Sequence, residues 1–263
     1  MEQDILYTKK DGIATITLNR PDKRNALTPG IREGLYASME DASKDGQVKV
    51  IILTGTGDSF CSGADVSAMA ELARRPEPTR PDPPARPGRT HIALIMQDCD
   101  KPVIAAINGV AVGVGLDLAL GCDIRIAADS ARLAEAYIRR GMIPAGGGSF
   151  FLPRLVRIDR ALMLAWTGDM IDAKEAERIG LVTMVVPNDE LQAATRELAE
   201  KLTKGPSLAI QKTKRAIYDS LSQDLKTHLE YAMAVRAELL KSEDHKEGAT
   251  SFVEKRAPYF KGA

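Results

Sequence analysis

The stretch KPVIAAINGVAVGVGLDLALGCDIRIAAD, Lys101 to Asp129, constrains what this chain can fold into more than any other. Val103 to Ile107 is a short apolar, β-branched run behind Pro102 and reads as a buried strand. Gly109, Gly113 and Gly115 follow, and glycines between a strand and a helix let the backbone turn sharply and let a ligand approach main-chain N–H groups. A helix N-terminus aimed into such a loop attracts negative charge. Asp117 then lies inside an otherwise apolar helical run, where a carboxylate must be solvated, paired or held in a site. After Gly121 and Cys122, Ile124 to Ala128 reads as a second buried strand, so the whole stretch forms one βαβ unit.

At 263 residues with 44% hydrophobic side chains the chain has the apolar mass for a substantial core. Thirty-six Lys and Arg balance thirty-six Asp and Glu, so overall charge recruits neither nucleic acid nor an anionic membrane. Cys61, Cys99 and Cys122 have neither metal-ligand spacing nor an even count and read as reduced thiols. His91, His228 and His245 are too scattered for a ligand cluster and read as surface residues, so no metal is expected. The N-terminus lacks the pattern of a signal peptide and no apolar run is long enough for a membrane span, which makes the cytoplasm the expected location.

In chain order, Ile5 to Thr8 and Ile13 to Leu18 read as a hairpin about Asp11-Gly12. Thr28-Pro29 marks a helix start, with Thr28 as N-cap and Pro29 in the first turn, and the helix is expected to reach about Lys44. Val50 to Leu53 is a strand that leads into the glycine loop TGTGDSFCSGAD. Arg74 to Arg89, rich in proline and arginine, is expected as a loop inside the domain, because the strands on either side look like neighbours in one sheet. Arg132 to Glu135 reads as a strand end, Asp172 as the cap of a short helix ending at Gly180, and Leu181 to Val186 as the last strand. Amphipathic helices are expected over Glu190 to Thr203, Pro206 to Ser220, Asp224 to Ser242 and His245 to Lys255.

Several common chemistries are excluded. The glycines at 109, 113 and 115 do not make the dinucleotide-binding G-x-G-x-x-G order, no Gly-Lys-Ser/Thr closes a glycine loop, and no G-x-S-x-G elbow accompanies a candidate histidine.

NRPDKRNAL (Asn19 to Leu27), FCSGAD (Phe60 to Asp65), the Lys101 to Asp129 stretch, GMIPAGGG and EKRAPYF (Glu254 to Phe260), in this order, resemble the enoyl-CoA hydratase/isomerase, or crotonase, superfamily over essentially the whole chain. The resemblance implies an α/β, crotonase-like fold of repeated ββα units, with an acyl-CoA-binding core over residues 1–190 and a C-terminal helical trimerisation region over 191–263. It implies a homotrimer or homohexamer and an acyl-CoA thioester substrate, with CoA as part of that substrate and no further cofactor. It also implies an oxyanion hole made by the main-chain N–H groups of Ala64 and Val114, where the family has a glycine at the second position. Prepositioned donors of that kind are each worth about 2.7–4 kcal/mol where negative charge develops on an oxygen.

Of the family's two catalytic glutamates, the first falls on Asp117 and the second on Tyr137. A single carboxylate can still move a proton beside a thioester, and Tyr137 is better suited to donate a hydrogen bond or proton than to act as a base. Were the Glu135 segment extended, Glu135 and Tyr137 would share a face and Glu135 would be an alternative source of the second carboxylate. Asp117 as a helix carboxylate that caps or pairs with Arg125 or another base, and Tyr137 as an aromatic wall of the acyl pocket, are the corresponding structural readings. CoA is expected at Ala26, Leu27, Ala64 and Asp65, with Lys23 and Arg24 toward its phosphates and Lys255 or Lys261 reaching from a neighbouring subunit. Met69, Leu72 and Met142 are expected to shape the acyl pocket. The reading is an enoyl-CoA hydratase, with a double-bond isomerase, an acyl-CoA hydrolase or a non-catalytic acyl-CoA-binding protein as alternatives.

Overall fold

The computed structural model describes residues 4–65 and 91–262; the Arg74 to Arg89 run, Met69 and Leu72 lie outside them. Strands β1 (Ile5–Lys10) and β2 (Ile13–Leu18) form the expected antiparallel hairpin, with Asp11 and Gly12 at φ 55° and 77° supplying the turn. Helix α1 (Pro29–Lys44) opens where Thr28 accepts from the Ile31 N–H at 3.1 Å, and buries Ile31, Leu35, Ser38, Met39 and Ala42 at helical spacing.

Next come β3 (Val50–Gly55), β4 (Ser59–Cys61), α2 (Ile92–Asp98), β5 (Val103–Ile107), β6 (Val110–Val112), α3 (Val114–Leu120), β7 (Ile124–Ala128) and β8 (Arg132–Ala134). A 3-10 turn over Ala136–Arg140 leads to α4 (Gly148–Leu155), α5 (Ile158–Thr167), β9 (Ile171–Asp172), α6 (Ala173–Arg178) and β10 (Met184–Val186). The chain ends in α7 (Leu191–Thr203), α8 (Ser207–Ser220), α9 (Leu225–Leu239) and α10 (Glu243–Glu254).

These strands make two sheets, one in the order β1-β2-β3-β5-β7-β10 and one in the order β4-β6-β8-β9. Each of β3, β5 and β7 lies in the larger sheet, and the short strand after it lies in the smaller one, which is the ββα repeat in structural terms. The central parallel strands β3, β5 and β7 of the larger sheet are buried on both faces, as parallel strands require. Ile51, Leu53, Ala105 and Ala127 face the main core with α1, whereas Val50, Ile52, Ile104 and Ile126 pack with Leu191 and Ala199 of α7. Neither α8 nor α9 has a buried residue. Among the described residues no helix is long and apolar enough to cross a membrane.

Five expectations need correction. The loop between β5 and α3 contains β6, which at three residues carries too little periodicity to be read. Glu135 and Tyr137 do not share the face of an extended strand, because β8 stops at Ala134 and Tyr137 lies in the 3-10 turn. The last strand begins at Met184, since Leu181 and Val182 are drawn inward by N–H bonds of 2.8 and 3.2 Å to the Ala176 carbonyl. Arg125 binds the carbonyls of Leu181 at 2.8 Å and Cys122 at 2.6 Å, and so closes the end of α3 rather than pairing with Asp117. His228 is half-buried, although His91 and His245 are exposed as expected. Helices α2 and α5 form where the sequence pattern predicts no element. The buried cysteines are free thiols.

Candidate active site

The site forms where three chain segments converge on the start of α3. The first is the loop of residues 20–27, held by Asn25, whose side chain is fully enclosed. Its amide donates to the Ser59 carbonyl at 2.7 Å and the Thr56 carbonyl at 3.0 Å, and its oxygen accepts from the Arg20 N–H at 2.8 Å. This fixes the loop against the second segment, β4 and residues 62–65. The Leu27 N–H donates to Gly63 O at 2.7 Å and the Asp65 N–H to Leu27 O at 3.3 Å. In this parallel bridge residue 27 bonds to both neighbours of Ala64, so the N–H of Ala64 itself points to the other side.

That other side is a cavity of about 50 Å³ bounded by Gly63, Ala64, Gly113, Val114, Tyr137 and Met142, among others. Gly63 adopts φ 100° and passes so close to β6 that a Cβ would lie 2.8 Å from the Val112 carbonyl. Gly113 takes the next turn at φ 55°, and Gly115 abuts the Cys61 carbonyl. Only glycine meets these demands. Val114 has no positive φ, so a side chain is tolerated at this position. Among the described residues no hydrogen bond takes up the N–H of Ala64 or Val114. Both therefore offer donors to the cavity, at the positive end of α3 in the case of Val114. A cavity of this size has room for a small polar group.

The proton-handling groups lie behind this cavity. Asp117 is 2% exposed, and its Oδ2 accepts a hydrogen bond from the Tyr137 hydroxyl at 2.5 Å. The Tyr137 ring packs over Gly113, with Cε2 3.7 Å from where a Cβ would stand, so the ring borders the cavity and the hydroxyl meets the carboxylate. Burial pushes the Asp117 carboxyl above the usual range. The Tyr137 hydroxyl, Glu135 and the N–H groups of Gly148 and Gly146 pull against that rise. Burial first, then the Asp117 charge, push the Tyr137 hydroxyl up, so it stays protonated and is a donor, not a base. Gly146 and Gly148 are the reason for the glycine run: a Cβ at Gly146 would overlap Asp117 Oδ2, and one at Gly148 would overlap Oδ1.

The structure thus brings Asp117, Tyr137, Ala64 and Val114 to one place. Ala26, Leu27 and Asp65 lie on the adjoining loop pair, with Ala26 and Leu27 buried and Asp65 bonded to Arg20 Nη1 at 2.8 Å. Lys23 and Arg24 are exposed on the same loop. Met142 borders the cavity as expected. Sequence reasoning missed the latch role of Asn25, although a left-handed Asn after Arg24 in an Arg/Asn-rich loop is a recognisable turn signal. It also named Glu135 only as an alternative, yet Glu135 is fully buried beside Asp117.

Comparison with known proteins shows what the whole chain is similar to. The family model for enoyl-CoA hydratase/isomerase matches residues 8–263. A probable enoyl-CoA hydratase of Rhodobacter capsulatus is 38% identical, over 98% of each chain. The 1,2-epoxyphenylacetyl-CoA isomerase of Escherichia coli is 34% identical over the full length of both chains. The crystal structure of an enoyl-CoA hydratase from Bacillus anthracis superposes with a TM-score of 0.89 at 35% identity, covering 99% of this chain and all of the other.

Proposed function

This chain belongs to the enoyl-CoA hydratase/isomerase family, and from that premise we propose that it adds water reversibly to 2-enoyl-CoA thioesters. The observation that carries this is the pair of N–H donors of Ala64 and Val114, unbonded among the described residues, beside a cavity bordered by Tyr137, whose hydroxyl is bound to Asp117 at 2.5 Å. As the water oxygen bonds to the β-carbon, the thioester oxygen takes up negative charge, which the two N–H groups stabilise. The proton lost by the water passes through the Tyr137 hydroxyl to Asp117 and returns to the α-carbon, leaving the enzyme unchanged. The loop pair around Ala26, Leu27, Ala64 and Asp65 holds the CoA moiety, with Lys23 and Arg24 toward its phosphates. Purified protein mixed with straight-chain, branched, cyclic and aromatic 2-enoyl-CoAs should bleach the conjugated thioester absorbance of at least one. No bleaching with any of them overturns the hydratase reading.

A second reading, double-bond isomerase, is favoured by one feature. Of the three proton-handling side chains only Tyr137 borders the cavity, and Asp117 is 2% exposed, an arrangement suited to moving one proton between two carbons without water. A 3-enoyl-CoA would then gain conjugated absorbance.

Assembly as a homotrimer or homohexamer is part of the proposal. It is supported by Trp166, Ile158 and Met163 of α5, which are 67, 62 and 58% exposed, and by the lack of buried residues on α8 and α9. The three buried free thiols support a reducing compartment, the cytoplasm.

A further inference from the structure

Asp117 carries two oxygens with different fates. Oδ2 takes the Tyr137 hydroxyl, whereas Oδ1 is enclosed and has no hydrogen-bond partner. Glu135, from the other side, is 0% exposed, and neither of its carboxyl oxygens has a partner. Both groups crowd the same α-carbon: a Cβ at Gly148 would overlap Asp117 Oδ1 and stand 2.7 Å from Glu135 Oε1. Three clustered buried acceptor atoms that receive no hydrogen bond are an arrangement folded proteins avoid. One proton removes the conflict, because it turns one carboxylate into a donor for the other.

We propose that Asp117 and Glu135 share a single proton between Asp117 Oδ1 and a carboxyl oxygen of Glu135, making Glu135, not Tyr137, the second carboxyl group of this site. The proposal rests on the reading of Asp117 as the proton-handling group of an acyl-CoA enzyme. Glu135 is the member that keeps the proton. Asp117 has the Tyr137 hydroxyl and the nearby N–H groups of Gly146 and Gly148 to support a charge, and Glu135 has none of these. Burial, then the Asp117 charge, push the Glu135 carboxyl far above the usual carboxylate range. The titratable groups facing Glu135 are Asp117 from α3 and Tyr137 from its own turn, and α4 presents the main chain of Gly148. Glu135 is thus a positioning residue. It does not border the cavity; it donates to Oδ1, and thereby keeps Asp117 ionised and able to take a proton through Tyr137.

Infrared spectroscopy of the substrate-free protein tests this directly, using the carbonyl stretch that only a protonated carboxyl shows. At neutral pH the wild type should show a carboxylic-acid band that shifts when glutamate is isotope-labelled and disappears in Glu135→Gln. Absence of a glutamic-acid band, or its persistence in Glu135→Gln, overturns the proposal. Since no substrate is involved, this result stands even if the protein hydrates no enoyl-CoA. Kinetics gives a second measurement on whichever acyl-CoA is turned over. Glu135→Ala should lower kcat at least about tenfold with little change in KM and shift the acid limb of the pH profile upward, because Asp117 loses a donor. Glu135→Gln, which keeps a donor but has no proton to lose, should recover part of kcat and lack any alkaline fall due to this pair. An unchanged pH profile in both variants overturns the proposal.

Discussion

The Tyr137 hydroxyl lies 2.5 Å from Asp117 Oδ2, and through this contact a carboxylate that is 2% exposed communicates with the cavity. The two residues are twenty positions apart, one in the helix that presents the Val114 N–H and the other in a 3-10 turn. Most of the testable consequences follow from this pair and the glycines around it.

Removing the hydroxyl alone isolates its chemistry. Tyr137→Phe keeps the ring over Gly113, so acyl-CoA binding should persist by calorimetry while kcat falls by about tenfold or more. A phenylalanine variant as fast as wild type would show that the ring matters and the hydroxyl does not.

Asp117→Asn keeps the shape and takes away the base. Turnover should fall at least about a hundredfold, the lower end of the range for a general acid–base group. Because the folded-state carboxyl is raised above its unfolded value, its ionisation disfavours the fold above the ordinary carboxylate range, so the variant should melt no lower than wild type at neutral pH. A markedly lower melting temperature would mean that the carboxylate is a structural anchor.

Glycine 146 has no room for a methyl group. Gly146→Ala should displace Asp117 Oδ2 and the Tyr137 hydroxyl, which lies 3.0 Å from the added carbon, and should abolish most activity with about 1–3 kcal/mol lost stability. Gly46→Ala, with nothing within 4 Å, serves as the control and should leave activity untouched.

Stability against pH reads the buried carboxyl of Glu135. Its pKa is raised from 4.5 to about 10 in the folded protein, so between those values the unfolded chain is ionised while the folded one holds the proton. Folding stability from this group is therefore intact below the ordinary range and declines as pH rises toward the folded value, at up to about 1.4 kcal/mol per pH unit. Glu135→Gln should match wild type in acid and exceed it increasingly toward alkaline pH in urea titrations. Parallel curves for the two proteins would contradict a buried, protonated Glu135.

Assembly is checked by sedimentation. The protein should run as a trimer or hexamer at micromolar concentration, and a charge placed on the exposed apolar face of α5, Trp166→Glu, should shift it toward monomer with its fold retained by circular dichroism. A wild-type monomer would contradict the assembly.

What the sequence determined by itself is local. The strand Val103–Ile107 has the bounds its β-branched run predicts, and α1 begins where Thr28 and Pro29 place it. Asp172 caps α6, accepting from the Glu175 N–H at 2.8 Å, and the C-terminal helices agree within a few residues. Periodicity, caps and turns act over a few residues and are written where they act. The order of the motifs carried the family.

Only the tertiary structure decided the rest. The smaller sheet is built from two- and three-residue strands whose existence depends on partners far along the chain, as Cys61 pairs with Ala111. Helix α5 buries Ala161 and Leu164 but leaves Ile158, Met163 and Trp166 exposed, so which of its apolar side chains are covered is decided by the elements packed against it. Arg125 was a plausible partner for Asp117 by type and distance along the chain, yet the fold turns it to the carbonyls of Cys122 and Leu181. By sequence Glu135 and Tyr137 compete for one role; the 3-10 turn sends the tyrosine to Oδ2 and leaves the glutamate buried near Oδ1. Protonation in this site follows from burial and from the approach of groups on separate elements, and neither quantity exists until the chain has folded.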